Sequence, residues 1–260
     1  MSPSKPVRIA SLVPSLTELL VALGLGPNLV ARTGFCIHPA AALRDVPKVG
    51  GTKDVNLAKL ARLAPTHVLV NIDENRRDTA DALRDMGVEL LVTHPLCPAD
   101  LDGVLTQCEL AFGHLPGVRE RAAALRTELQ LALADVRREV FAPQRVLYLI
   151  WREPWMTVAR DTYISRLLAQ ANWHTWPPAD GGAAGASRYP VVNGDEPWLA
   201  EVQQVLLSSE PYNFRHEHLA LAQQLCPGAH VQLVDGELLS WYGPRAPEGL
   251  RYAASLAAAR

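Results

Sequence analysis

VRERAAALRTELQLALADVRREV, residues 118–140, is the stretch on which the reading of the chain turns. Val118, Ala122, Leu125, Leu129, Leu133, Val136 and Val140 recur at intervals of three and four, which lines them along one face of an α-helix. Arg119, Glu120, Arg126, Glu128, Arg137 and Arg138 fall off that stripe, and Pro116-Gly117 and Pro143 punctuate the two ends. At about 1.5 Å per residue such a helix runs about 35 Å, the height of a small domain. Its apolar stripe is narrow, so one side rests on protein and the other meets water. The sequence on either side follows one plan twice.

The 260 residues suffice for two lobes flanking the helix. With 48% apolar residues, 20% charged residues and a formal net charge of −2, the composition is that of a soluble globular protein. Basic residues are scattered, so no nucleic-acid partner is expected. The start, MSPSKP, leads directly into VRIASLV without the charged start, apolar run and cleavage site of an export signal. The chain as it stands therefore reads as cytoplasmic, or as periplasmic if a leader has been removed. No run approaches the roughly 18 consecutive apolar residues of a membrane span. Cys36, Cys97, Cys108 and Cys226 lack the close pairing of a zinc site and give no disulfide framework, so they read as free thiols.

In the first half, residues 7–13 read as a buried strand, and Ser15 with Glu18 as a capping box opening a helix. A second strand, Leu29–Thr33, leads into the loop 34–39. Asn56–Leu63 reads as a helix, His67–Asn71 as a strand, the next segment to Met86 as a helix and Val88–Thr93 as a strand. Strands alternating with helices predict a parallel sheet covered on both faces, with ligands beyond the carboxyl ends of its strands. The loops at 32–38, 50–53, 71–75 and 93–97 occupy that end.

The second half repeats this order: strand 145–150, helix 161–171, a partly helical 196–202, strand 204–208, helix 216–225 and strand 231–234. The Gly- and Ala-rich stretch 179–187 reads as the most mobile loop. All six tryptophans and all six tyrosines follow residue 147, several in strand-exit loops: Trp151 and Trp155, Tyr212 and Phe214, Trp241 and Tyr242. Such rings either cap a core or line a broad, partly apolar ligand site.

The segments IASLVPSLTEL (9–19) and VGGTK (49–53), Asn56-Leu57 with Leu60, Leu63 and Pro65, and the lone long helix together resemble the cobalamin and ferric-siderophore substrate-binding proteins of ABC importers, over nearly the whole chain. The resemblance implies an α/β protein of two Rossmann-like lobes with parallel sheets joined by one long backbone helix. Its parts are residues 1–116, a bridging helix 117–142, and residues 143–260, with a ligand held between the lobes. The cobalamin-binding branch is the most similar. That branch's first-lobe aromatic falls on Phe35, ahead of His38-Pro39, and its second-lobe aromatic on Tyr189, ahead of Pro190. Two first-lobe tryptophans of the branch fall on Thr52 and Asn71, and an acidic residue near the last strand on Glu237. Relatives that serve importers dock on a permease through one acidic residue per lobe. The first such position is Ala58, and the second falls on Asp195 or Glu196.

The remaining site candidates follow from chemistry. Arg32, Lys53 and Arg152 stand where they could hold amide or phosphate groups of a ligand, and Glu74, Glu153 and Glu210 where they could accept from its amide donors. The pairs Cys36/His38 and His216/His218 are poor metal sites, so no protein-bound metal and no intrinsic cofactor is expected. No G-x-S-x-G, H-E-x-x-H, P-loop or C-x-x-C motif supports catalysis. The expectation is a non-catalytic, monomeric receptor for cobalamin or a related corrinoid, with haem and ferric siderophores as alternatives and an ABC permease as partner. The rival readings are a cytosolic corrinoid-handling or sensing protein without a transporter and a chelatase-like enzyme.

Overall fold

In the computed structural model, which describes residues 6–259, short apolar strands lie side by side in two parallel sheets. The chain divides into two units. One comprises the residues up to Pro95 with Leu101–Arg126, and the other Leu96–Asp100 with the residues from Thr127 onward.

The first unit runs β1 (Ile9–Ser11), α1 (Pro14–Ala22), β2 (Leu29–Arg32), α2 (Ala40–Leu43), α3 (Leu57–Arg62), β3 (His67–Asn71), α4 (Arg77–Asp85), β4 (Glu89–Thr93) and α5 (Leu101–Phe112). It ends in the first turns of α6 (Val118–Arg138). Its sheet has the order β2-β1-β3-β4, all parallel. Ala10, Leu12, Ala31, Val68 and Val70 pack with Leu60 and Leu83 in one core. Each such leucine, moved fully out of water, contributes about 2 kcal/mol.

Two helix starts show which local rules won. Asn56 caps α3, its side chain accepting from the Lys59 N–H at 2.8 Å. The capping box expected at Ser15 and Glu18 does not form. α1 begins at Pro14 after an uncapped Val13, because a proline at the first position has no N–H to satisfy and a φ already suited to the helix.

The second unit runs from the remainder of α6 through β5 (Gln144–Leu149), β6 (Trp155–Met156), α7 (Tyr163–Ala169), β7 (Trp173–Thr175), β8 (Val191–Val192), β9 (Gln204–Ser208), α8 (Leu219–Leu225), β10 (His230–Val234), α9 (Gly236–Ser240) and α10 (Ala246–Ala258). Its main sheet, β10-β9-β5-β7, is again parallel, and β6 and β8 form a separate antiparallel pair. Counting strands within each unit, both four-stranded sheets have the order 2-1-3-4, which is the predicted repetition. Leu147, Leu149, Val205 and Leu207 meet Val192, Ala222 and Phe214 in the core of this unit.

On α6, Val118, Ala122, Leu129, Leu133 and Val136 are buried as the periodicity requires, with Ala132 beside them. The stripe stops there: Val140 lies past the helix end and is 99% exposed. Among the described residues no helix is long and apolar enough to cross a membrane, and Cys36, Cys97, Cys108 and Cys226 are free thiols.

The stretch 179–187 is tied down more firmly than its composition suggests. The Asp161 carboxylate accepts from the N–H groups of Gly181 and Gly182, each at 2.8 Å, and faces Arg188 at 3.5 Å. Arg188, itself fully buried, donates to the Gly182 carbonyl at 2.7 Å. Burial alone would raise the Asp161 carboxyl, but the two N–H groups and then Arg188 outweigh it and hold the group below its ordinary value. Glu196 is lowered in the same way, against its burial, by the N–H groups of Asn193 and Gly194. A carboxyl lowered in the folded state adds stability above its unfolded value, near 4, and that stability is lost as pH falls through the lower folded value. The unfolding midpoint is therefore expected to drop as pH falls below about 4. Asp161→Asn, measured by the same thermal unfolding series, should flatten that drop.

Candidate functional site

In a parallel sheet of order 2-1-3-4 the chain reverses its direction of travel between strands 1 and 3, and the crevice beyond their carboxyl ends is the preferred ligand position. In the first unit that place is bounded by the exits of β1 and β3, in the second by the exits of β5 and β9.

The exit of β2 in the first unit is shaped from beneath by Arg32. This side chain is buried, its Nε donating to Leu43 O at 3.3 Å and its Nη1 to Cys36 O at 2.9 Å. It builds the loop and does not offer its charge to a ligand, which corrects the sequence expectation: a guanidinium beside a tight loop finds backbone carbonyls closer than solvent. Cys36 points inward, its Sγ 3.1 Å from Thr33 Oγ1, and burial raises its thiol. Its neighbours consequently face outward, Phe35 63% and Ile37 49% exposed. Phe35 lies against Gly51, where a Cβ would come within 3.3 Å of the ring. His38, which follows, is half-buried.

Asn71 is likewise a structural residue. Buried at the end of β3, its side-chain oxygen accepts from the N–H groups of Asp73 at 2.8 Å and Glu74 at 3.2 Å, an Asx turn. Asn75, which sequence reasoning missed, links three segments: its side chain meets Asn71 N at 2.9 Å, Leu12 O at 3.2 Å and Thr52 O at 3.0 Å. Thr52 is thus fixed through its carbonyl. Lys53 Nζ donates to Asp73 O at 2.7 Å, and the Asp73 carboxylate stands 3.3 Å from His94 Nε2. Partial burial draws the Lys53 ammonium down from its ordinary value, while Glu74 and Asp73 pull it back up. Ile72 projects outward from this turn. Phe35, Ile37 and Ile72 are thus exposed apolar side chains in the exit loops of the first unit, which also carry Lys53 and Glu74.

In the second unit, the exits of β5 and β9 are joined by Tyr212 N donating to Ile150 O at 3.3 Å. A chain of rings crosses them. Trp151 meets Tyr212 edge-on at 5.5 Å, Tyr212 meets Phe214 at 4.6 Å, and Phe214 stacks on Trp155 at 5.9 Å. His218 closes the cluster, its Nε2 3.3 Å from the Tyr212 hydroxyl and its Nδ1 accepting from Arg215 N at 2.9 Å. This last bond explains His218 as a turn former and not one of a metal pair. Trp151 is the outermost ring, 41% exposed, and Phe214 the innermost, 3% exposed. Arg152 lies 5.8 Å from the Trp155 ring centre and 3.2 Å from Glu153, which occupies the left-handed region at φ 66°. Arg152, Glu153, Trp155 and Leu225 also border an open depression of about 510 Å³.

Three expected ligand rings are not surface rings. Phe214, Trp241 and Tyr242 are buried, because the loops that carry them turn back onto their own unit. Trp241 Nε1 donates to Glu210 at 2.6 Å, Arg245 stands 4.7 Å over the indole, and Arg245 also pairs with Glu237 at 2.5 Å. Glu210 and Glu237 thus hold this corner together. Burial raises the Glu210 carboxyl, partly offset by the Trp241 bond. Tyr189 is half-buried just ahead of β8, where Pro190 O accepts from Thr157 N at 2.9 Å. Of the two docking candidates, Glu196 turns its carboxylate back onto Asn193 N and Gly194 N, both at 2.8 Å, whereas Asp195 is exposed, as is Ala58 in the first unit.

The arrangement offers flat rings, a few charges and pre-formed loops, which is the equipment of a binding site. Residues 9–221 match the sequence model of a family described as periplasmic binding protein. The chain belongs to the periplasmic binding protein family. Relatives that match it carry the names of binding proteins, among them an ABC transporter substrate-binding lipoprotein. This binding protein is 26% identical over 166 residues to the vitamin B12-binding protein of Photorhabdus laumondii, an alignment covering 63% of the chain and 58% of that relative. It is 28% identical over 173 residues to an ABC transporter substrate-binding lipoprotein of Bacillus subtilis, covering 63% of the chain and 53% of the relative. The chain thus spans little more than half the length of these curated relatives. In fold it is similar to the periplasmic vitamin B12 binding protein of Vibrio cholerae, with TM-score 0.81, 21% identity and 97% and 96% of the two chains covered. It is also similar to a periplasmic heme binding protein from Pseudomonas aeruginosa, with TM-score 0.76, 22% identity and 97% and 92% covered.

Proposed function

We propose that this binding protein takes up cobalamin or a closely related corrinoid and delivers it to the permease of an ABC importer. The observation that carries the proposal is Trp151, a half-exposed indole held edge-on by Tyr212 where the second sheet changes direction. A ring fixed by its neighbours offers a flat apolar surface at little entropic cost, which suits a wide macrocycle. Exposed Phe35, Ile37 and Ile72 offer apolar surface in the exit loops of the first unit, and Lys53, Glu74, Arg152 and Glu153 supply charges for the amide and phosphate rim of a corrinoid. Thr52 and Tyr189 border these loops. The metal arrives with the ligand. Asp195 is the carboxylate by which the second unit meets the permease; Ala58 gives the first unit no such charge, so docking leans on one unit.

Haem is the second reading, favoured by His38, which stands beside the exposed Phe35 and Ile37 and has the nitrogen an axial iron ligand needs. Titration of tryptophan fluorescence separates the two. Cyanocobalamin is expected to quench it saturably at about 10 μM or below, with haemin weaker by at least about tenfold and a ferric siderophore without effect. Tighter quenching by haemin, lost in His38→Ala, would favour haem, and no response to any of the three at these concentrations would rule out the site.

A further inference from the structure

The second unit carries another cavity, of about 520 Å³, bordered by Gln144, Arg145, Arg160, His174, Trp176 and Gln203. It lies toward the amino ends of β5 and β9, away from the exits that carry Trp151 and Tyr212: Gln144 opens β5, Gln203 immediately precedes β9, and His174 stands on the edge strand β7. The volume falls within the range of small-molecule sites.

Its chemistry is one-sided. The Arg145 and Arg160 guanidinium carbons lie 5.6 and 5.8 Å from the centre of the Trp176 ring, so two cations converge on one indole. Among the described residues no carboxylate borders the cavity. Arg145 has one acidic partner among the described residues, Glu201 at 3.1 Å, in a pair about half-exposed on both sides and correspondingly weak. Arg160 donates its Nε to Thr175 O at 3.3 Å and has no acidic partner among the described residues. The Trp176 indole N–H is buried and likewise lacks an acceptor among them, an uncommon condition for a buried donor. Gln203 spends its side-chain oxygen on Arg145 N at 2.9 Å, and its amide nitrogen has no partner among the described residues. Arg145, Arg160 and Gln203 thus bring donors to one recess, with no acidic residue among the described residues that border it.

We propose that this cavity binds an organic phosphate monoester of mononucleotide size. Two guanidinium groups beside one indole match the near-dianionic charge of such a phosphate. The Gln203 amide nitrogen serves an acceptor on the remainder of the molecule, which the volume has room for, and the Trp176 ring offers it a flat face. A charge-bearing regulator of this kind would sit on the unit that carries Trp151 without occupying the loops around it.

Isothermal titration with adenosine 5′-monophosphate and with inorganic phosphate tests this, each with cyanocobalamin affinity measured in parallel. The wild-type protein is expected to bind the nucleotide one to one at about 100 μM, at least about tenfold tighter than inorganic phosphate. Arg160→Gln and Arg145→Gln should each weaken it about tenfold or more, and Arg160→Lys, which keeps the charge but loses the fork, should weaken it by an intermediate factor. Cyanocobalamin affinity should change less than about twofold in all three, which also reports that they fold. No heat with either phosphate at about 5 mM, equal affinity for the two, or binding that survives both glutamine substitutions would overturn the proposal. Because the cobalamin titration is separate, failure of one site does not imply failure of the other.

Discussion

Trp151→Ala is expected to weaken cyanocobalamin binding by about 30-fold, about 2 kcal/mol, while leaving the unfolding midpoint within a few degrees of wild type. The two halves of this prediction rest on the same geometry. The indole is 41% exposed, so little core packing is lost on truncation. It is also held by Tyr212 at 5.5 Å, so the ring is already in place when a flat ligand arrives. Phe214→Ala is the contrasting case. That ring is 3% exposed and touches Trp155, Tyr212 and His218, so its removal should cost about 3–5 kcal/mol of stability before binding is even measured. Equilibrium binding and thermal unfolding on both variants separate a contact ring from a supporting one. Equal loss of stability in the two would mean that Trp151 belongs to the core.

Arg188→Met should destabilise the second unit by about 3–5 kcal/mol, a fall in midpoint of about 10 °C for a chain of this size. Arg188 is fully buried and meets Asp161 at 3.5 Å and the Gly182 carbonyl at 2.7 Å. Removing it leaves the Asp161 charge with backbone N–H donors, those of Gly181 and Gly182 chief among them. The double variant Arg188→Met, Asp161→Asn removes the stranded charge as well and is expected to recover part of the loss. Were the 179–187 stretch a loose surface loop, the single substitution would cost less than about 0.5 kcal/mol.

The same loop shows what a sequence hides. Glycine and alanine announce freedom, and nothing local reveals that Asp161, twenty residues earlier, returns to clamp them. The helix periodicity and the alternation of strands and helices were legible because burial imposes them residue by residue: β3 and β9 fall at His67–Asn71 and Gln204–Ser208, where the apolar runs place them. The three-residue β7 was not, since Trp173, His174 and Thr175 sit at a sheet edge and show no apolar run. In the site, ring content was visible and ring placement was not. Trp241 and Trp151 read alike as loop tryptophans, yet one donates a hydrogen bond to Glu210 inside the fold and the other faces out. Arg32 and Asn71 misled for a related reason, because polar side chains in exit loops often satisfy the loop's own backbone before any ligand. Asn75 carries no motif at all, and its three contacts exist only once β1, β3 and the 50–53 loop are folded together.

Hydrogen–deuterium exchange with and without cyanocobalamin tests the central claim most directly. Slowed exchange in 33–39, 71–76, 150–156 and 209–214, with little change in α8 and α10, is the predicted result. Saturating binding that leaves those four segments unchanged and protects others instead would contradict it.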